Sequence, residues 1–293
     1  MEQKPMRGAA PLDPPSPEVA RLYLDEVDRV LERRADRVNL RAQGWVTIVQ
    51  SVLMAGFVGC TIIVSRAEQT TATLLILMAF LMTTQVLSGV TERFGGQRRF
   101  LRSRGLYYGA LVLACVAVTT TFAMSLLSGD SIPLPVVFAP AAGGVLVLTG
   151  IGVCQLWVSR NTPRASRREI PPFIWPARGT TLALGSLLGI MTIAAGYGDA
   201  LFTSLLSLLT GIALVVASLG SGTDWGLAYL GEVWRWPQFL MLSAGAVAVS
   251  AGVLSSATTV VDPLVFVLAG AGIVILAICV SLVQPPSKVG SRV

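Results

Sequence analysis

Residues 45–64 read WVTIVQSVLMAGFVGCTIIV, twenty positions without one charged side chain. A helix of about 20 apolar residues spans the hydrocarbon core of a bilayer. This stretch is apolar all round, whereas a helix on the surface of a soluble domain keeps one polar face. Seven more stretches of the same kind follow, at about 71–90, 106–127, 134–158, 179–198, 200–219, 238–257 and 262–284. The chain of 293 residues is 53% hydrophobic and only 13% charged, against about 25% charged in a soluble domain. The reading is an all-α polytopic membrane protein with eight transmembrane helices. The fifth and sixth spans are separated by almost nothing, so Tyr197-Gly198-Asp199 must supply the turn, and glycine makes so tight a reversal feasible.

Working outward from the spans gives four regions. Residues 1–15 are rich in proline and polar groups and read as a disordered N-terminus. Residues 16–43 read as a cytoplasmic amphipathic helix. Ser16 is a capping residue, Pro17 suits the first helical position, and Glu18 complements the positive end of the helix dipole. Leu24, Val27, Leu31 and Val38 form a narrow apolar stripe interrupted by Arg34, and Asp25 and Arg29 form an i, i+4 pair. Such a helix packs on the inner leaflet, pairs with a partner helix, or extends the first span. Residues 44–284 are the transmembrane domain, and 285–293 a cytoplasmic tail. The first apolar segment begins at Trp45 after a long polar region and is too long for a cleavable signal, so none is read.

Charge sets the orientation. With eight spans and the N-terminus inside, 21 of the 22 Lys and Arg residues fall on the cytoplasmic side, and only Arg66 falls outside. Cytoplasmic loops carry the excess of basic residues, so both termini are placed in the cytoplasm and the membrane is taken as the plasma membrane. This placement accounts for the net charge of +6 without nucleic acid, for which no binding motif is present.

Thr71, Pro135, Asp199 and Pro263 each open an even-numbered span and are spaced by 64 residues. The chain thus reads as four tandem helical hairpins. A shift of 128 residues matches Pro135 with Pro263, Val137 with Val265, Phe138 with Phe266, Ala141 with Ala269, Gly144 with Gly272 and Leu148 with Leu276. A duplication would make the protein a parallel 4+4 repeat, an arrangement that tends to bind its ligands between the halves.

Chemistry-bearing residues are sparse. There is no histidine, which removes the commonest general base and metal ligand. Cys60, Cys115, Cys154 and Cys279 lie singly in apolar segments and read as small hydrophobes. No acid or base sits in the interior of a span, which argues against proton-coupled exchange and intramembrane proteolysis. There is no phosphate-binding loop or dinucleotide motif. The reading is therefore a non-enzyme, with no catalytic, cofactor-binding or metal-binding residues and no cofactor.

Three groups of residues remain as candidates. Gln50 and Gln85 are polar at depth and would line a polar path, or else form hydrogen bonds between helices. Arg98, Arg99 and Arg102 in one loop, and Arg164, Arg167 and Arg168 in another, suit anionic lipid headgroups, beside their role in topology. Trp225, Tyr229, Trp234 and Trp236 read as interfacial aromatics on a loop with few charges, with room for a short helix. Small residues at i, i+4, such as Gly185 and Gly189, let helices approach closely. Two functions are carried forward. The first is a transport protein or permease subunit, any ATP drive coming from a separate cytosolic ATPase. The second is a non-catalytic scaffold or sensor whose N-terminal helix recruits a cytosolic regulatory protein. The lipid bilayer is a partner in both, and neither fixes the oligomeric state.

Overall fold

Proline, glycine and aspartate mark the helix boundaries in the computed structural model, which describes residues 16–19, 21–26, 39–66, 70–94, 104–128, 132–161, 173–220, 223–258 and 261–282. Nine helices follow one another from residue 40 onward among the described residues: α1 (Leu40–Arg66), α2 (Thr70–Arg93), α3 (Arg104–Ser128), α4 (Leu134–Val158), α5 (Trp175–Tyr197), α6 (Ala200–Leu219), α7 (Leu227–Val233), α8 (Trp236–Thr258) and α9 (Pro263–Leu282). Proline stands within the first two positions of α4 and α5, where its missing N–H is no loss. Gly198 closes α5 in the left-handed conformation, φ 67°, and donates its N–H to Ala194 O. Asp199 at once caps α6, accepting the Phe202 N–H at 2.7 Å. The expected three-residue reversal is thus a glycine stop followed by an aspartate start.

Among the described residues seven helices, all of the nine except α3 and α7, are long and apolar enough to cross a membrane. The molecule is accordingly described as a polytopic α-helical membrane protein. The seventh expected span is α8 and the eighth is α9. The expected third span is α3, 25 residues long, whose apolar stretch among the described residues is Val112–Ser125.

Residues 17–19 and 21–26 are helical, and the Val19 N–H donates to Ser16 Oγ at 3.4 Å. The stretch 16–43 is divided near its end. Asn39 stands outside helical structure and its side chain caps α1, accepting the Ala42 N–H at 3.0 Å. Residues 40–43 therefore belong to the first long helix.

Close backbone contact organises the bundle. The most extensive interfaces are α5 against α9 and α1 against α4. A Cβ on Gly189 would lie 2.7 Å from Gly270 O, and one on Gly44 would lie 2.8 Å from Gly152 O. Neither interface admits a side chain at these positions. α3 packs on α4, and α8 packs on α5 and α9. α2 joins the two groups, lying against α1, α6, α7 and α8. Its buried residues Leu75, Ile76, Ala79, Met82 and Val86 share one core with Leu184, Leu188, Met241, Leu242 and Ile273.

The burial pattern bears on the 128-residue match. α4 buries Val137, Ala141, Gly144, Leu148 and Gly152, while α9 buries Phe266, Gly270, Ile273, Ala277 and Ser281 among others. These five pairs are offset by 129 residues, one more than the identities. Gly144 faces Ala114 and Ala117, whereas its match Gly272 has nothing within 4 Å.

Candidate functional site

α6 is held to the bundle chiefly through α2. Leu201, Leu205, Leu208, Leu209, Ile212 and Val215 on its other sides are exposed, as suits a lipid-facing helix. Its buried stripe is Thr203, Leu206, Ser207, Thr210 and Leu214, three hydroxyls among five residues. Helical spacing at i, i+4 and i+7 places Thr203, Ser207 and Thr210 on one face. Thr210 lies at the centre of the helix, and Gly211 beside it faces the end of the Met78 side chain of α2, with Cε 3.8 Å from where a Cβ would stand.

The Ser207 and Thr210 hydroxyls are enclosed and have no hydrogen-bond partner. This sets them apart from several other deeply buried hydroxyls of the bundle. Thr83, Thr121, Thr181 and Thr192 each donate to the carbonyl four residues earlier, at 2.7–2.9 Å. In the seam between α1 and α4, hydroxyls pair across helices: Ser51 with Thr149 at 2.9 Å, and Thr47 with Gln155 Oε1 at 3.4 Å. Ser65 meets Ser125 of α3 at 3.3 Å. Those seams show ordinary polar contact between membrane helices. The α2–α6 seam does not, and each unmade bond costs about 1–3 kcal/mol of desolvation. Two adjacent unpaired hydroxyls at the centre of a helix that packs chiefly on α2 form the strongest candidate site. Thr61 Oγ1 and the Gln43 carboxamide are also enclosed and unpartnered, but each stands alone on α1.

Gln50 and Gln85 are both half-buried and lie at one depth. Asn39 N–H donates to Phe94 O at 3.2 Å, and Phe57 stacks on Phe80 at 4.4 Å, so α1 and α2 run antiparallel with Gln50 and Gln85 level between these contacts. They face different ways. Gln50 lies on the stripe of Val46, Leu53 and Phe57, which meets α2. Gln85 lies seven residues from Met78 and four from Gly89, on the side of α2 that meets α6 and α7. Since α2 and α6 run parallel, Gln85 stands level with Ser218 of α6, two turns beyond Gly211. The structure thus brings Gln85, but not Gln50, to the seam that holds Ser207 and Thr210. Sequence reasoning passed over Ser207 and Thr210, because hydroxyls spaced along an apolar helix give no sign of whether they are paired.

The predicted aromatic loop forms a packed cap at the end of the bundle where α1 begins. α7 buries Leu227, Ala228, Leu230, Gly231 and Val233. A Cβ on Gly89 of α2 would collide with Ala228 O, and one on Gly231 with Val86 O, so two helix backbones touch. Trp234 is 0% exposed and donates its indole N–H to Thr181 Oγ1 at 2.9 Å. Its carbonyl accepts from the Arg93 guanidinium at 3.1 Å. This indole is therefore enclosed by protein, unlike Trp225 and Trp236, which are exposed. Tyr229 is half-buried. Burial, with the negative charges of Asp224 and Glu232, raises its phenol above the usual range. Arg98, Arg99, Arg102, Arg164, Arg167 and Arg168 lie outside the described residues.

Comparison with known proteins finds no family model, no curated protein and no solved structure that matches this chain. What the fold defines is the class, a polytopic α-helical membrane protein.

Proposed function

We propose that the protein is a transport protein or permease subunit of the plasma membrane, without an ATPase of its own and without enzymatic activity. The observation that supports this is the α2–α6 seam. Its unpaired hydroxyls lie at helix mid-depth between two groups of helices, where repeat-built transporters hold substrate. In this reading α1–α6, α8 and α9 make eight spans in four tandem hairpins, grouped as a parallel 4+4 arrangement. In its favour, the first helix of each half packs most extensively on the last, α1 on α4 and α5 on α9. Both termini are cytoplasmic. The charge asymmetry supports this. The arginine loops at 98–102 and 164–168 rest on anionic headgroups, and a cytosolic ATPase or regulatory protein docks on this side.

The test is flux in proteoliposomes, with a panel of polar solutes, in the presence and absence of ATP and cytosolic extract. Wild-type protein should move at least one solute faster than empty vesicles, and the folded double variant Ser207→Ala/Thr210→Val should lose that flux. Wild-type vesicles matching empty ones for every solute under both conditions would remove the reading.

The alternative is a non-catalytic scaffold or sensor. One observation favours it: in the N-terminal helix Val19, Leu22, Tyr23 and Leu24 are all exposed, an apolar surface available to a partner.

A further inference from the structure

We infer that the α2–α6 seam binds an uncharged solute, one that presents hydroxyl or carbonyl groups to Ser207 and Thr210 and reaches them from water. This rests on the transport reading of the same seam and specifies its substrate class.

Three observations lead to it. The first is the unmet hydrogen bonding. Ser207 and Thr210 are 3% and 0% exposed, and their hydroxyls lack partners. In a helix a serine or threonine can satisfy itself on the carbonyl four residues back, and Ser204, one turn from both Ser207 and Ala200, does so at 2.7 Å. The enclosed pair instead keeps its donors and acceptors free. A hydroxyl offers one donor and two acceptor sites, so the pair suits a polyol, an amide or water itself.

The second observation is the absence of a countercharge. Among the described residues of the long helices, charged side chains are confined to the ends: Arg41 and Arg66 in α1, Glu92 and Arg93 in α2, Arg104 in α3 and Arg178 in α5. α4, α6, α8 and α9 carry none. A charged solute at Thr210 would be desolvated with no partner, which is strongly unfavourable at that depth. A neutral solute exchanges its hydrogen bonds with water for those of the two hydroxyls.

The third is the build of the wall. α6 makes its main contact with a single neighbour, α2. Opposite Gly211 that neighbour presents the thioether of Met78, with Sδ 4.0 Å from the position of a Cβ. Methionine is unbranched and adapts to irregular space, and glycine adds no bulk. The two faces that must part to admit a solute are therefore joined by soft packing at the level of the hydroxyls. The α5–α9 interface, by contrast, is locked by the mutual approach of Gly189 and Gly270.

The experiment uses the full chain in nanodiscs, with the four native cysteines replaced and a single cysteine introduced as Thr210→Cys, Ser207→Cys or, as the lipid-facing control, Leu209→Cys. The probes are the neutral thiol reagent methyl methanethiosulfonate and its trimethylammonium-ethyl analogue, which is cationic. Thiols react with both only where water supports the thiolate. The Thr210→Cys thiol should react with the neutral reagent at least tenfold faster than Leu209→Cys, and at least tenfold faster than with the cationic one. Ser207→Cys should behave alike and serves if Thr210→Cys is not monodisperse. A rate no higher than that of Leu209→Cys would show the seam to be dry and overturn the inference. Equal rates with both reagents would overturn the neutral class. If the seam is dry while vesicles still show solute flux, the transport reading stands and only this site is lost.

Discussion

Replacing Gly89 with alanine tests the cap of the bundle at one atom. The added Cβ would fall inside contact distance of the Ala228 carbonyl, and the facing Gly231 is equally tight against Val86 O. Both obstacles are backbone, so relief requires α7 to move bodily away from α2. Forcing a methyl into a packed interface costs about 1–3 kcal/mol, and rigid backbone on both sides argues for the upper end. Alanine recovers up to about 1 kcal/mol over glycine as a helix former. The net loss is about 2 kcal/mol, equivalent to a fall of roughly 4–8 °C in apparent melting temperature on the scaling for domains of 150–250 residues. Gly56→Ala is the matched control, because a Cβ there meets nothing within 4 Å. It adds the same methyl and the same propensity without the collision, so its melting temperature should hold or rise. Thermal denaturation in detergent, followed by size-exclusion fluorescence, measures both. If Gly89→Ala melts no lower than Gly56→Ala, α7 is not clamped to α2 and the cap is misassigned.

Four further outcomes are expected. Gly185→Leu and Gly189→Leu should destabilise more than Leu187→Ala in the same assay, because the glycines abut α9 at Ala277 and Gly270 while Leu187 is only partly buried. Thr181→Val should cost about 1–3 kcal/mol by orphaning the Trp234 indole N–H, with Thr181→Ser restoring the melting temperature. A cysteine at position 98 should be inaccessible to impermeant reagent in whole cells, and one at position 130 should be labelled; the reverse pattern would refute the orientation. Deleting residues 1–15 should leave folding and activity intact, whereas deleting 17–38, which spares the Asn39 cap and α1, should abolish partner binding; unchanged pull-downs would remove the scaffold alternative.

Helix positions were legible because a helix long and apolar enough to cross a bilayer shows in length and hydropathy. The expected 134–158 and 200–219 coincide with α4 and α6, and other ends differ by a few residues. The ends that moved carry polar residues that still suit a helix, such as Arg41, Gln43 and Glu92, so the helix outlasts the hydrocarbon. The Gly198–Asp199 reversal was legible for the same local reason. Facing was not legible. Trp234 and Trp236 are two residues apart and of one type, yet the first is enclosed and the second is 70% exposed. Only the tertiary approach of Thr181 and Arg93 distinguishes them. Likewise Thr121 and Thr210 read alike in the sequence; the first bonds to Ala117 O and the second has no partner.

The 64-residue spacing has a physical origin that needs no copied gene. Each hairpin comprises two crossings, and each crossing needs about 20 residues plus its flanks, so a chain of short-looped hairpins repeats at roughly this interval whatever its ancestry. The test of deeper kinship is whether matched residues do the same work. Between α4 and α9 the identical residues are 128 apart, while the equivalent buried positions are 129 apart. One residue turns a helix by about 100°, so the buried Val137, Ala141, Gly144 and Leu148 of α4 match Val265, Ala269, Gly272 and Leu276 of α9, none of which is buried. Leu148 is buried, while its identical match Leu276 is 38% exposed, and Ala277 occupies the equivalent buried place. The six shared letters therefore do not mark shared work; what α4 and α9 have in common is the spacing of the residues they bury.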